Sequence, residues 1–134
     1  MKLDFEFFNQ SNLNYPSKKL FDLADTIIIK FLKDSNHTII LLSVFLVNSQ
    51  KMRSLNREYC KKNKSTTVLS FPQDEPLKNP KIGEKIILGD IFLCPEKIGK
   101  SENDLEYFFL HGLLHLLGLN HKEIDKYKNL WLKT

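Results

Sequence analysis

Histidines are the first residues to weigh for chemistry, because a neutral imidazole binds metals and moves protons near neutral pH. Three of the four in this chain fall in the run His111-Gly-Leu-Leu-His115-Leu-Leu-Gly118-Leu-Asn-His121. His111 and His115 are four residues apart. On an α-helix four residues turn about 400° and rise about 6 Å, which sets both rings on one face. Gly118 offers the left-handed position at which a helix ends and the chain turns back. That turn would carry His121 towards the same point. Three neutral imidazoles around one point suit zinc, one ion per chain, with a fourth position left for water. Catalytic zinc sites keep such a position open, since water bound there loses a proton near neutral pH.

The plain alternative is a set of core histidines. A lone histidine on an apolar helix is ordinarily that; three at this spacing, with a glycine break, are not. The fourth, His37, lies in the polar stretch Asp34-Ser-Asn-His37 and reads as a solvated loop residue. A zinc peptidase helix reads His-Glu-x-x-His, with the glutamate as general base. Gly112 occupies that place here, and glycine takes no proton. The peptidase reading is therefore set aside, and no carboxylate base is evident beside the histidines.

The elements that must position these residues are those of an α+β fold. Leu3, Phe5 and Phe7 alternate with Asp4 and Glu6, the period of a half-buried strand. Ser17 is placed to cap a helix whose face carries Leu20, Leu23, Ala24, Ile27, Ile28, Phe31 and Leu32. Residues 39 to 47, rich in Ile, Leu and Val, predict a buried strand. Ser49 opens a short helix with Met52 and Leu55 inward. Thr67 to Phe71 reads as a strand stopped by Pro72, Gln73 to Gly83 as a loop, and Lys85 to Cys94 as a strand interrupted by Gly89. Ser101 is placed to cap the histidine helix, which runs to about Leu117, with Asp104 near its positive end. Leu105, Phe108 and Phe109 would anchor it on the sheet. Lys122 to Leu132 predicts a terminal helix, with Ile124, Tyr127, Leu130 and Trp131 packing back. The expected whole is a single small domain over 1–134: a mixed sheet of about four strands, packed by helices, one of them a metal-binding histidine helix.

Composition agrees. A chain of 134 residues with 42% hydrophobic residues folds around a real core. Cys60 and Cys94 are too few and too far apart for a disulfide framework. The N-terminus carries acids where a signal peptide needs an apolar core, and the longest apolar run is too short to span a bilayer. A cytoplasmic protein without a membrane partner is expected. The net charge is +4, unevenly placed: six cations stand against one acid between Lys51 and Lys64. Either this is a solvated helix face and loop, or it is a track for phosphates, with Arg57 and Lys61 as candidate contacts.

The run His111-Gly-x-Leu-His115-Leu-x-Gly118-x-x-His121 resembles the signature of the YbeY family, bacterial endoribonucleases of ribosomal RNA maturation. Leu55-Asn56 followed by Thr66-Thr-Val-Leu-Ser-Phe-Pro72, and Leu88-Gly-Asp-Ile91, resemble two further motifs of that family in the same order. The resemblance implies a zinc-dependent endoribonuclease specific for single strands. Its substrate would be a ribosomal RNA precursor, its role 16S 3′-end maturation and ribosome quality control, and its partners the small ribosomal subunit or its proteins. It also implies zinc ligation by His111, His115 and His121. Two positions depart from the pattern. Asn120 stands where the family has aspartate, as a neutral partner beside the metal. Cys60 stands where the family has arginine, leaving Arg57 or Lys61 to supply that charge. The attacking group would be zinc-bound hydroxide or the RNA's own 2′-hydroxyl. The alternative function is a zinc-containing assembly factor that binds RNA without cutting it.

Overall fold

The computed structural model describes residues 1–35, 39–80 and 83–131, with the backbone alone at Trp131. His37 therefore lies outside the described residues, as does the side chain of Trp131. Four strands form one mixed sheet in the order β1-β2-β4-β3: β1 (Lys2–Asn9), β2 (Ile39–Leu46), β3 (Val68–Pro72) and β4 (Lys85–Leu93). β1 and β4 run parallel to β2, and β3 runs antiparallel to β4 along one edge. Gly89 interrupts β4 as expected. Its φ of +130° coincides with a register shift opposite Leu41 and Leu42, the mark of a β-bulge. A side chain there would collide with the Phe71 carbonyl of β3.

The bulge keeps the alternation of faces in step. On one face, Ile40, Leu42, Val44 and Leu46 of β2 join Ile86, Leu88, Ile91 and Leu93 of β4. They pack against helices α1 (Ser17–Leu32) and α4 (Leu105–Leu117). On the other face, Phe45, Leu69 and Phe92 pack with Met52 beneath α2 (Ser49–Cys60). Asn56 is 3% exposed, and its amide donates to the Lys64 carbonyl, which ties the turn after α2 in front of β3. A short helix α3 (Pro95–Ile98) and a final helix α5 (His121–Trp131) complete the described chain.

Several local expectations are corrected. Proline, not a capping side chain, precedes α1. α2 begins at Ser49 as expected, with Asn48 before it as the cap, its oxygen accepting from Lys51 N–H at 2.8 Å. Asp104, rather than Ser101, caps α4 by accepting from Tyr107 N–H at 3.0 Å. Ser101 is occupied instead with the carbonyls of Ile98 and Asn103. In α5, Ile124 is buried, but Leu130 is 62% exposed and does not pack back.

Candidate functional site

α4 delivers the first two histidines as the spacing predicts. Its apolar face, including Phe109, Leu113 and Leu116, is fully buried on the sheet. Gly112 faces Ile91 of β4 so closely that a Cβ would sit 3.1 Å from the Ile91 side chain. A residue here points into the sheet, where a side chain would press against Ile91. His111 and His115 are half-buried along the helix edge. His115 Nδ1 lies 2.6 Å from the Ser70 hydroxyl of β3. His111 Nδ1 lies 2.9 Å from the ammonium of Lys128 on α5.

Gly118 then ends α4 at φ +105°, its N–H directed to the carbonyls of His115 and Leu114. The loop carrying Glu75 and Lys78 closes over this turn, and Leu77 N–H donates to Leu117 at 2.8 Å. A Cβ on Gly118 would meet Lys78 at 2.9 Å. The glycine is thus required both by its backbone angle and by the close approach of the loop. His121 follows as the first residue of α5 and is exposed. Asn120 and Glu123 cap that helix reciprocally: Asn120 Oδ1 accepts from Glu123 N–H at 2.9 Å, and Glu123 Oε1 from Asn120 N–H at 3.0 Å. The Asn120 oxygen is therefore committed to the helix end.

His115 and His121 line one hollow of about 440 Å³, together with Glu75, Lys78, Gly118 and Asn120. Burial pushes His111 down to about 4, assisted by Lys128 and then by His115 and His121, with Asp125 opposing. Burial also pushes His115 down, against the pull of Glu75 and with the help of His121 and Lys78. The three rings share one electrostatic neighbourhood and the first two are held neutral, the state in which imidazole ligates metals. Among the described residues, however, no three His, Cys, Asp or Glu side chains are gathered into a set that could hold a metal ion.

The donor chemistry at His115 suits zinc. Nδ1–H can donate to Ser70, which leaves Nε2 as the ligating nitrogen. The fit at His111 carries one obstacle. The Lys128 ammonium donates to Nδ1, which sets the ring hydrogen on Nε2. Ligation through Nε2 requires Lys128 to turn away, and the Asp125 carboxylate, 3.7 Å from it, offers an alternative partner.

Arg57 and Lys61 lie at the end of α2, both exposed. They sit behind β3, not in the hollow with the histidines. Two residues of consequence, Glu75 and Lys128, escaped the sequence pattern, while Ser70 and Asp90 fall within the two strand motifs without a role being assigned to them there. Glu75 and Lys128 reach the histidines from a loop and from another helix, and no local motif marks them.

A model of the family described as Endoribonuclease YbeY matches residues 6–133. A protein of that name from Buchnera aphidicola is 33% identical, with 97% of this chain and 84% of its own covered. Another, from Thermodesulfovibrio yellowstonii, is also 33% identical, covering 93% of this chain and 88% of its own. A Thermotoga maritima protein solved in solution shares the fold at a TM-score of 0.54 and 20% identity, covering 96% of this chain and 87% of its own. With nearly its whole length matched, and the histidine run in place on α4 and its glycine turn, this chain belongs to the YbeY endoribonuclease family.

Proposed function

We infer that this chain is an endoribonuclease that cuts single-stranded RNA, with one zinc ion held by His111, His115 and His121. Its place is the cytoplasm, in 16S ribosomal RNA 3′-end maturation and ribosome quality control beside the small subunit. Family membership supports RNA cleavage. The observation that carries the site assignment is the tethered pair on α4: two imidazoles held neutral by burial, with His115 oriented by Ser70.

Bound zinc would supply a water of lowered pKa and a positive charge against the negative charge that grows on phosphate. The protein's own groups do the rest. Ser70 fixes the His115 ring, and Glu75 in the same hollow is the carboxylate placed to take a proton from water or from a 2′-hydroxyl. Lys78 in that hollow attracts the scissile phosphate, while Arg57 and Lys61 hold RNA further along the chain.

A second reading, an RNA-binding assembly factor with little cleavage, draws on two observations. Lys128 faces His111, and Asn120 spends its oxygen on a helix cap. The test is cleavage of single-stranded RNA by purified wild type, by chelated protein and by His115→Ala. Cutting that depends on metal and on His115 supports the nuclease. Equal cutting by all three would trace it to a contaminant and overturn the reading.

A further inference from the structure

The sheet face opposite α4 carries a continuous row of aromatic rings that the histidine site does not use. Phe8 of β1 stacks on Phe45 of β2 at 5.0 Å between ring centres, and Phe45 on Phe92 of β4 at 4.5 Å. Phe71 of β3 meets Phe92 edge to face at 5.8 Å. Tyr59, in the last turn of α2, meets Phe71 edge to face at 5.4 Å. The inner rings are half-buried and belong to the packing beneath α2. Tyr59 does not: it is 60% exposed, while Met52, Leu55 and Asn56 are the buried residues of that helix. A hollow of about 310 Å³ opens between Leu55, Tyr59, Phe71, Asp90 and Phe92.

Charge decides what such a hollow accepts. Arg57, Lys61 and Lys62 are exposed on either side of Tyr59 in the chain. Among the described residues none of the three pairs with an acidic side chain. Asp90 lies within the hollow. Exposed cations at this end of α2 attract phosphates, and a carboxylate lining the hollow repels them while accepting N–H donors of a base. A flat ring with a polar edge, joined to a phosphate backbone, matches both requirements. A protein partner would match the apolar rings without needing the cations.

We propose that Tyr59 and Phe71 form a stacking platform for an unpaired RNA base, with the backbone phosphates turned towards Arg57 and Lys61 and the base edge towards Asp90. The proposal rests on RNA being the substrate and adds where and how a single strand is gripped. Ser70 and Phe71 are consecutive in β3, so their side chains point to opposite faces. Ser70 contacts His115 and Phe71 contacts Tyr59. β3 is a sheet edge, so one strand of RNA passing around it reaches both the platform and the histidines. A duplex cannot offer a splayed base, which gives a physical reason for preferring single strands.

The test uses the full chain and a single-stranded RNA of about twelve nucleotides carrying the fluorescent base 2-aminopurine, within the range of site sizes for stacking proteins. A chelator keeps the RNA intact. Tyr59→Ala is expected to weaken binding about ten-fold, as loss of one base–aromatic stack does. The quenching of 2-aminopurine is lost with it, while the salt dependence of affinity is unchanged because no phosphate contact is removed. Tyr59→Phe restores both affinity and quenching. Wild-type affinity and quenching in Tyr59→Ala would overturn the platform and leave the nuclease reading standing. No RNA binding by the wild type would overturn both. A flattened salt slope in Tyr59→Ala would also overturn stacking, since it would trace the loss to displaced cations.

Discussion

Replacing Lys128 by methionine isolates what a buried cation does to the histidine beside it. The Lys128 side chain is 6% exposed, with its nitrogen 2.9 Å from His111 Nδ1, 3.2 Å from the Tyr107 hydroxyl and 4.4 Å from the centre of the Tyr107 ring. Methionine keeps the length and apolar packing and removes the charge. His111 lies at about 4 instead of the ordinary 6.5, with burial the largest cause and Lys128 the next. Lys128 is thus the second cause after burial, and its removal is expected to raise the His111 pKa without returning it to the ordinary value. The assay is a proton NMR titration of the histidine rings in chelated protein. Linkage fixes a second readout. Between 6.5 and about 4 the unfolded chain binds a proton that folded His111 refuses, so wild-type stability falls as pH is lowered through that window. In Lys128→Met the window narrows from its lower end and the acid loss shrinks. Loss of the Tyr107 contact costs about 1 kcal/mol at all pH values and does not alter this slope. A His111 pKa that stays put or falls, in a folded Lys128→Met protein, would refute the reasoning.

Three further outcomes follow from the same structure. Lys128→Met should bind zinc about ten-fold more tightly at neutral pH, by competition with a chromophoric chelator, and a His111→Ala background should abolish that gain. Gly89→Ala should cost more than about 2 kcal/mol in urea unfolding, because its Cβ would strike the Phe71 carbonyl at a positive φ. Burial raises the Asp90 carboxyl, so its ionised form is penalised in the folded state at neutral pH. Asp90→Asn should therefore raise the melting temperature at pH 7, with the gain vanishing as pH falls below the ordinary carboxylate range.

How much of this was legible in the sequence depends on the reach of each interaction. The alternation Leu3-Asp4-Phe5-Glu6-Phe7 and the run from Ile39 gave strands, because face selection is a local matter of period two. Gly118 ended the histidine helix where a left-handed residue was expected. Caps were less readable: Ser101 and Asp104 both suit the role, and the choice between them follows from how α3 and its turn consume the serine hydroxyl. Leu130 fits the periodicity of α5 yet faces solvent, since only part of that helix lies against α4 and α1. The histidines' immediate neighbours were hidden. Ser70 is 45 residues from His115, and Lys128 reaches His111 only through the angle between α4 and α5. The aromatic row on the sheet face beneath α2 is likewise invisible to local pattern. Phe8, Phe45, Phe92 and Phe71 come from four separate segments and align only when the strands pair.

The order of strands has a consequence for the growing chain. β3 is made before β4 but pairs with β4 alone, and β2 receives its second neighbour only when β4 inserts beside it. A nascent chain that has reached Pro72 holds β1 and β2 with one of β2's edges bare, and β3 with no partner. A ribosome pause within the loop before Lys85 would leave Leu42, Val44 and Leu46 exposed to other chains. Binding of a chaperone should therefore concentrate on nascent chains shorter than about the end of β4 and decline once Leu93 has emerged. Ribosome-bound chains truncated at successive lengths and probed by limited proteolysis would reveal the step.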